Sequence, residues 1–154
     1  MRNRREARES ALQSLYAEEV GKHTPQDIVQ NVMKPALRDS SDTLKFAEKL
    51  FYNTVDHTPE LDGIIDDHIR NWKVERLAII DKVVIRMALT EMLYFPEIPT
   101  KVSINEAIEL AKKFSTKKSG TFVNGILDAA RSRLSKEGRI QKKGRGLIEE
   151  SGQT

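Results

Sequence analysis

The chain has 154 residues, a formal net charge of +3 at pH 7 and no cysteine. That length suits one domain with a modest core, and the lack of cysteine excludes disulfides, thiolate metal sites and cysteine nucleophiles. So small a net charge does not argue for nucleic acid, but its distribution does: Arg2, Arg4, Arg5 and Arg8 crowd the start, and Arg139, Lys142, Lys143 and Arg145 the far end. The N-terminus is charged without an apolar stretch, so no secretory signal is expected. The most apolar segment, Leu77 to Leu93, is interrupted by Asp81, Lys82, Arg86 and Glu91, which reads against a bilayer span. The expectation is a soluble cytoplasmic protein without membrane contact.

No long alternation of period two occurs, and glycines are few. The apolar spacing predicts an all-α chain with helices over 4–20, 26–38, 41–57, 60–72, 75–95, 103–116 and 121–136. In the first of these, Ala7, Ala11, Leu12, Leu15 and Tyr16 form an apolar stripe. At about 100° per residue, Arg4 and Arg8 fall on the same azimuth and Arg5 at its edge. Two readings stand: a buried face that continues as an exposed basic surface for phosphates, or a solubilising terminus. Arginines at a helix start oppose the helix dipole, so helix stability does not account for them.

Pro25 suits the opening of the second helix, and Pro35 is expected to end or bend it. Thr58-Pro59 separates the third from the fourth. On that fourth helix Asp62 and Asp66 share a face near Asp67 and His68, but the spacing matches no known metal site and a solvated face is expected. The fifth helix is apolar almost all round, from Leu77 through Leu93, and belongs at the centre of a bundle. Asp81 interrupts its apolar flank, away from the Lys82–Arg86–Thr90 polar stripe, and requires a cationic partner in this chain or in another protein. Arg86 reads as an internal ion-pair or cap donor.

Pro96 and Pro99 bound an extended link into Ser103 and Glu106, whose spacing is that of a capping box. Ile104, Ala107, Ile108, Ala111 and Phe114 follow as a buried face. Lys112, Lys113, Lys117 and Lys118 then crowd the exit, Gly120 is expected to break the chain, and Phe122 to open the last helix. An aromatic rimmed by cations at a helix end is a place for a nucleobase to stack, although Phe122 also borders the stripe of Val123, Ile126, Leu127, Ala130 and Leu134. Core and stacking readings both stand. Asn124 and Gly125, poor helix residues, are expected to permit a close helix crossing. From Gly138 the period stops, giving domain bounds of 1–137 for the fold and 138–154 for a basic tail too polar to order itself.

Nothing in the chain suggests an enzyme. His23, His57 and His68 are scattered, and neither a nucleophile motif nor a glycine-rich phosphate loop is present. No catalytic residue, metal, cofactor or small-molecule substrate is expected.

The stretch IPTKVSINEAIELAKKF with FVNGILD resembles the NusB family of transcription antitermination factors. RREARESALQSLY resembles the family's arginine-rich first helix, Phe46, Leu50, His57, Leu61 and Asp62 follow its third-helix spacing, and WKVERLAIIDKVVIRMALTEM matches another strong block. Asn53 stands where a glycine is usual and Lys118 where an acidic residue occurs. The resemblance implies two three-helix bundles sharing a core, with a seventh helix alongside. It implies binding to boxA-type RNA of nascent ribosomal transcripts jointly with the small-subunit ribosomal protein NusE, and indirect association with other Nus factors and RNA polymerase. RNA contacts then fall to Arg4, Arg5, Arg8, Tyr16, Lys113, Lys117, Lys118 and Phe122, and a partner-protein contact to Asp81. NusB-like domains also serve ribosomal RNA cytosine methyltransferases as binding modules, which is the alternative use of this fold. A helical scaffold that self-associates without RNA is a third.

Overall fold

The computed structural model of the protein describes residues 2–21, 23–69 and 76–147. Every element among them is helical. Contacts divide the chain into two units, Met1–Asp56 and His57–Thr154. The first holds α1 (Arg2–Val20), α2 (Pro25–Ile28), a π-helical segment (Val29–Met33), α3 (Lys34–Ala36) and α4 (Ser41–Asp56). The second holds α5 (Thr58–Asp66), α6 (Ile79–Tyr94), α7 (Thr100–Phe114) and α8 (Lys117–Lys136).

In the first unit Thr24 caps α2, its hydroxyl accepting from the Asp27 amide at 3.1 Å, and Pro25 takes the first helical position. Pro35 does not stop the helix. The backbone widens ahead of it, the Lys34 amide reaching back to the Val29 carbonyl. A proline has no N–H and its ring collides with the carbonyl four residues back, and a wider turn relieves both. α1 packs on α4. Ala7, Ala11, Leu12 and Leu15 are buried on the former, and Phe46, Ala47, Leu50 and Phe51 on the latter.

α5, α7 and α8 all pack on α6. From Lys82 to Met92 every residue of α6 is buried, so the Lys82–Arg86–Thr90 stripe is no solvent face. A buried arginine must be paired. Arg86 forks onto Asp62, Nε to Oδ1 at 2.7 Å and Nη2 to Oδ2 at 2.8 Å. Asp62 is thereby the ion-pair partner expected for Arg86, and is not part of the solvated face expected of it. Glu91, 1% exposed, accepts a hydrogen bond from the Ser103 hydroxyl at 2.6 Å.

That last contact replaces the predicted capping box. α7 begins at Thr100, with Pro99 in extended backbone as its N-cap, so Ser103 lies inside the helix. Pro99 supplies the carbonyl that accepts from both Val102 and Ser103. The link before α7 is a turn, closed by Ile98 N–H on the Phe95 carbonyl at 3.1 Å. α8 likewise starts early, at Lys117, because the Thr116 hydroxyl accepts from the Ser119 amide at 3.1 Å. Gly120 therefore lies within α8 and does not break the chain. A Cβ there would come within 2.8 Å of Lys112 Cγ, so the glycine admits the lysine stem from α7. Gly125 does not serve a helix crossing among the described residues: a Cβ would meet none of them within 4 Å, and Asn124 is exposed beside it. The close approach falls at Gly120, five residues earlier on another face of the helix.

Gly138 ends α8 in the left-handed region, φ +73°, and the Arg139 amide turns back onto the Leu134 carbonyl at 2.9 Å. Composition predicts no packing beyond this point, yet residues 138–147 fasten onto the second unit. Arg139 pairs with Glu60 at 2.7 Å. Lys142 Nζ donates to the carbonyls of Glu91 at 3.1 Å and Phe95 at 2.9 Å, and Lys143 N–H to that of Pro96 at 3.1 Å. Helix C-termini leave carbonyls unsatisfied and carry partial negative charge, so a lysine is drawn there whatever its neighbours in sequence. Gly146 lies so close to the Pro96 carbonyl that any Cβ would overlap it. Tyr94 donates its hydroxyl to Glu60, and burial together with that carboxylate pushes its phenol up to about 12. Residues 148–154 of the predicted tail lie outside the described residues.

Two outcomes follow for urea unfolding. Asp62→Ala should cost about 3 kcal/mol, the low end for removing one partner of a buried ion pair, because the Asp62 side chain is 23% exposed. Lys142→Met should cost about 1–2 kcal/mol, since it removes charge-assisted bonds at a partly buried helix end. A Lys142→Met variant as stable as the parent would show that the two Lys142 bonds add nothing to the fold.

Candidate nucleic-acid interface

The residues singled out for RNA fall on both units. Arg4, Arg5, Arg8 and Tyr16 lie on α1 of the first. In the second, Lys113 closes α7, Lys117 and Lys118 open α8, Phe122 follows one turn later, and Asp81 stands in the first turn of α6.

On α1 the predicted basic overhang is divided. Arg4 and Arg5 are exposed, whereas Arg8 is 5% exposed. The Arg4 guanidinium carbon lies 4.1 Å from the centroid of the Phe46 ring and that of Arg8 lies 5.4 Å from it. Arg8 is thus packed inside the unit by the azimuth it shares with Ala7 and Ala11, while Arg4, a turn earlier, emerges at its rim. Tyr16, expected on the apolar stripe, turns out 40% exposed and presents a ring to solvent.

In the second unit the structure brings α6, α7 and α8 together at one corner. Ser119, buried in the first turn of α8, is the hub. Its hydroxyl contacts the Ser115 hydroxyl at 2.9 Å and donates to Asp81 Oδ2 at 3.2 Å. Asp81 Oδ1 is buried and has no hydrogen-bond partner among the described residues. The cation that sequence reasoning demanded for Asp81 is absent from its described surroundings, and a serine stands in its place. Sequence reasoning missed Ser119 because a serine near a helix start signals a cap, and nothing in the spacing connects it to a residue thirty-eight positions earlier.

Around this corner the lysines are exposed: Lys117 and Lys118 in the first turn of α8, and Lys113 with its Nζ 5.3 Å from the Phe114 ring centroid. Phe122 is 37% exposed, against complete or nearly complete burial for Val123, Ile126 and Leu127 on the same helix. That favours the stacking reading over the core reading. Its ring borders a cavity of about 510 Å³ lined by His68, Ile69, Leu77, Thr121, Gly125 and Ile126. Gly125, with no side chain, keeps that side of α8 open. An exposed ring face with ammonium groups a turn away can stack a base while the lysines meet its phosphates. No group of three or more acidic or histidine side chains among the described residues is arranged to hold a metal. No helix among them is long and apolar enough to cross a membrane.

An all-helical fold with two basic, aromatic-bearing edges is the class that this geometry defines. The NusB family model matches residues 5–132, and the chain belongs to the NusB family. Its sequence is 45% identical over 148 residues to the transcription antitermination protein NusB of Salinibacter ruber, covering 96% of this chain and 92% of that one. It is 42% identical over 147 residues to the protein of the same name from Chloroherpeton thalassium, covering 96% and 70% of the two chains. Among solved structures it is similar to antitermination factors NusB and NusE in complex with double-stranded RNA, with TM-score 0.79 and 27% identity over 86% of this chain and 98% of that one.

If Phe122 serves as a stacking platform, Phe122→Ala should lose about 1–3 kcal/mol of RNA binding. Its unfolding free energy should fall by well under the about 3–5 kcal/mol of an emptied core phenylalanine site. Intact RNA affinity with a large stability loss would assign the ring to the core.

Proposed function

We propose that this chain is a non-enzymatic, RNA-binding antitermination factor of the cytoplasm. It binds boxA-type RNA of nascent ribosomal transcripts together with the ribosomal protein NusE, and so joins the machinery by which RNA polymerase resists termination. The observation that carries this reading is the exposed Phe122 ring beside the exposed Lys117 and Lys118 at the start of α8. Its support in kind is the likeness to NusB bound to NusE and RNA.

The residues divide the work by their chemistry. Arg4 and Arg5 meet phosphate oxygens, for which the planar guanidinium fork is suited. Lys113, Lys117 and Lys118 neutralise the backbone near the stacked base, and Tyr16 offers a second ring. Arg8 contributes from within, by its place in the α1–α4 packing. Asp81 supplies the NusE contact: its half-buried carboxylate in the first turn of α6 attracts a cationic side chain of the partner.

Titrating a boxA-type RNA and a scrambled control, with and without NusE and at several salt concentrations, tests the reading as a whole. Preference for boxA that increases with NusE is the expected result, and equal affinity for both RNAs would reject it. Replacing Arg4 and Arg5 by alanine should lower the slope of log affinity against log salt by about one for each phosphate no longer neutralised, with the unfolding midpoint barely moved. Asp81→Lys should weaken NusE association while the chain stays folded. Unfolding of that variant would assign Asp81 to internal packing instead.

A further inference from the structure

Phe46 carries more than a packing role. It lies on α4, 9% exposed, and two cations of α1 converge on its ring: Arg4 at 4.1 Å and Arg8 at 5.4 Å from the centroid. The electron-rich face of an aromatic attracts each guanidinium, and more strongly where water is excluded, as it is around Arg8.

The geometry points to Phe46 as a positioning residue for RNA binding, acting through Arg4. This rests on the RNA-binding reading above. A guanidinium over a ring is held by its flat face, and its N–H donors lie in its own plane, at the edge. A phosphate is recognised by that edge. Stacking and phosphate binding therefore use different parts of one group. The ring removes rotamer freedom from Arg4 before RNA arrives, so less is lost when the phosphate is bound. Arg8, 5% exposed, braces the ring from inside the unit. Arg4 and Phe46 lie on different helices, and α1 packs on α4 through the alanines that allow the approach. A basic helix with no aromatic beneath it would have the same charge and a looser, weaker grip.

The test is a double-mutant cycle on the full chain, read by titration of a boxA-type RNA and, on the same preparations, by urea unfolding. Phe46→Leu should weaken RNA binding about two- to fivefold, the equivalent of the 0.5–1 kcal/mol of an exposed cation–π contact. In an Arg4→Ala background the same change should cost no further RNA affinity, although it lowers stability in both backgrounds. A ring-fluorinated phenylalanine at residue 46 keeps the shape and withdraws charge from the ring face. It should reproduce the loss of RNA affinity with a smaller effect on folding, and it replaces Phe46→Leu if that variant does not fold. An equal loss of affinity with and without Arg4, or full affinity in the fluorinated protein, overturns the positioning role. If Arg4→Ala itself leaves RNA binding unchanged, the assignment of Arg4 to phosphate fails and the positioning role falls with it. If no variant and not even the parent binds boxA RNA, the proposed function fails first.

Discussion

α6 has no solvent-facing side over most of its length, and that constraint organises the second unit. A helix buried all round still carries polar residues, and each neutral group left without a partner costs about 1–3 kcal/mol. Arg86 draws Asp62 of α5, and Glu91 draws Ser103 of α7. Asp81 draws Ser119 of α8. The last carbonyls of the helix draw Lys142 of the segment that follows α8. The surrounding elements are therefore fixed by directional contacts as well as by apolar area. Apolar packing alone would let each helix slide or rotate.

The same constraint gives the two ends of α6 different roles. A sixteen-residue helix is about 24 Å long. At its C-terminal end Arg139 is held by Glu60, and Lys142 by backbone carbonyls. At its N-terminal end lysines of α7 and α8 stay exposed around a carboxylate oxygen that has no donor among the described residues. Both ends are rich in cations. What differs is where those cations point: at one end they are turned onto acceptors of this chain, and at the other Lys117 and Lys118 open α8 into solvent, where another molecule can be met.

α1 shows the principle on a smaller scale. Arg4 and Arg8 share a helix face and a ring, yet Arg8 is buried and Arg4 is exposed. One turn of helix, about 5.4 Å, separates a cation that stabilises the fold from one that can contact a phosphate. A count of arginines in the first helix does not distinguish the two.

The helical class, the central place of α6 and the proline at the opening of α2 were legible in the sequence, because apolar period and proline geometry are local properties. So was the family, through long motif matches in IPTKVSINEAIELAKKF and RREARESALQSLY. Helix starts were less legible. Ser103 and Glu106 have the spacing of a cap, but Pro99 begins the helix earlier and Ser103 is turned to Glu91, a choice made by a buried carboxylate on another helix. In sequence Gly120 reads as a chain break and Gly125 as the crossing point, and only the position of Lys112 puts the close approach at the first. The segment after Gly138 is too polar to bury a core, and composition says no more than that. Residues 139–147 are held by hydrogen bonds to carbonyls that exist only once α6 has ended beside them. Local pattern along the chain settles which segments become helices and where cations concentrate. Which of those cations turn inward is settled by the fold, because the acceptors that hold Arg86, Arg139 and Lys142 come from elements remote in sequence and stand within hydrogen-bond distance only after the helices have packed.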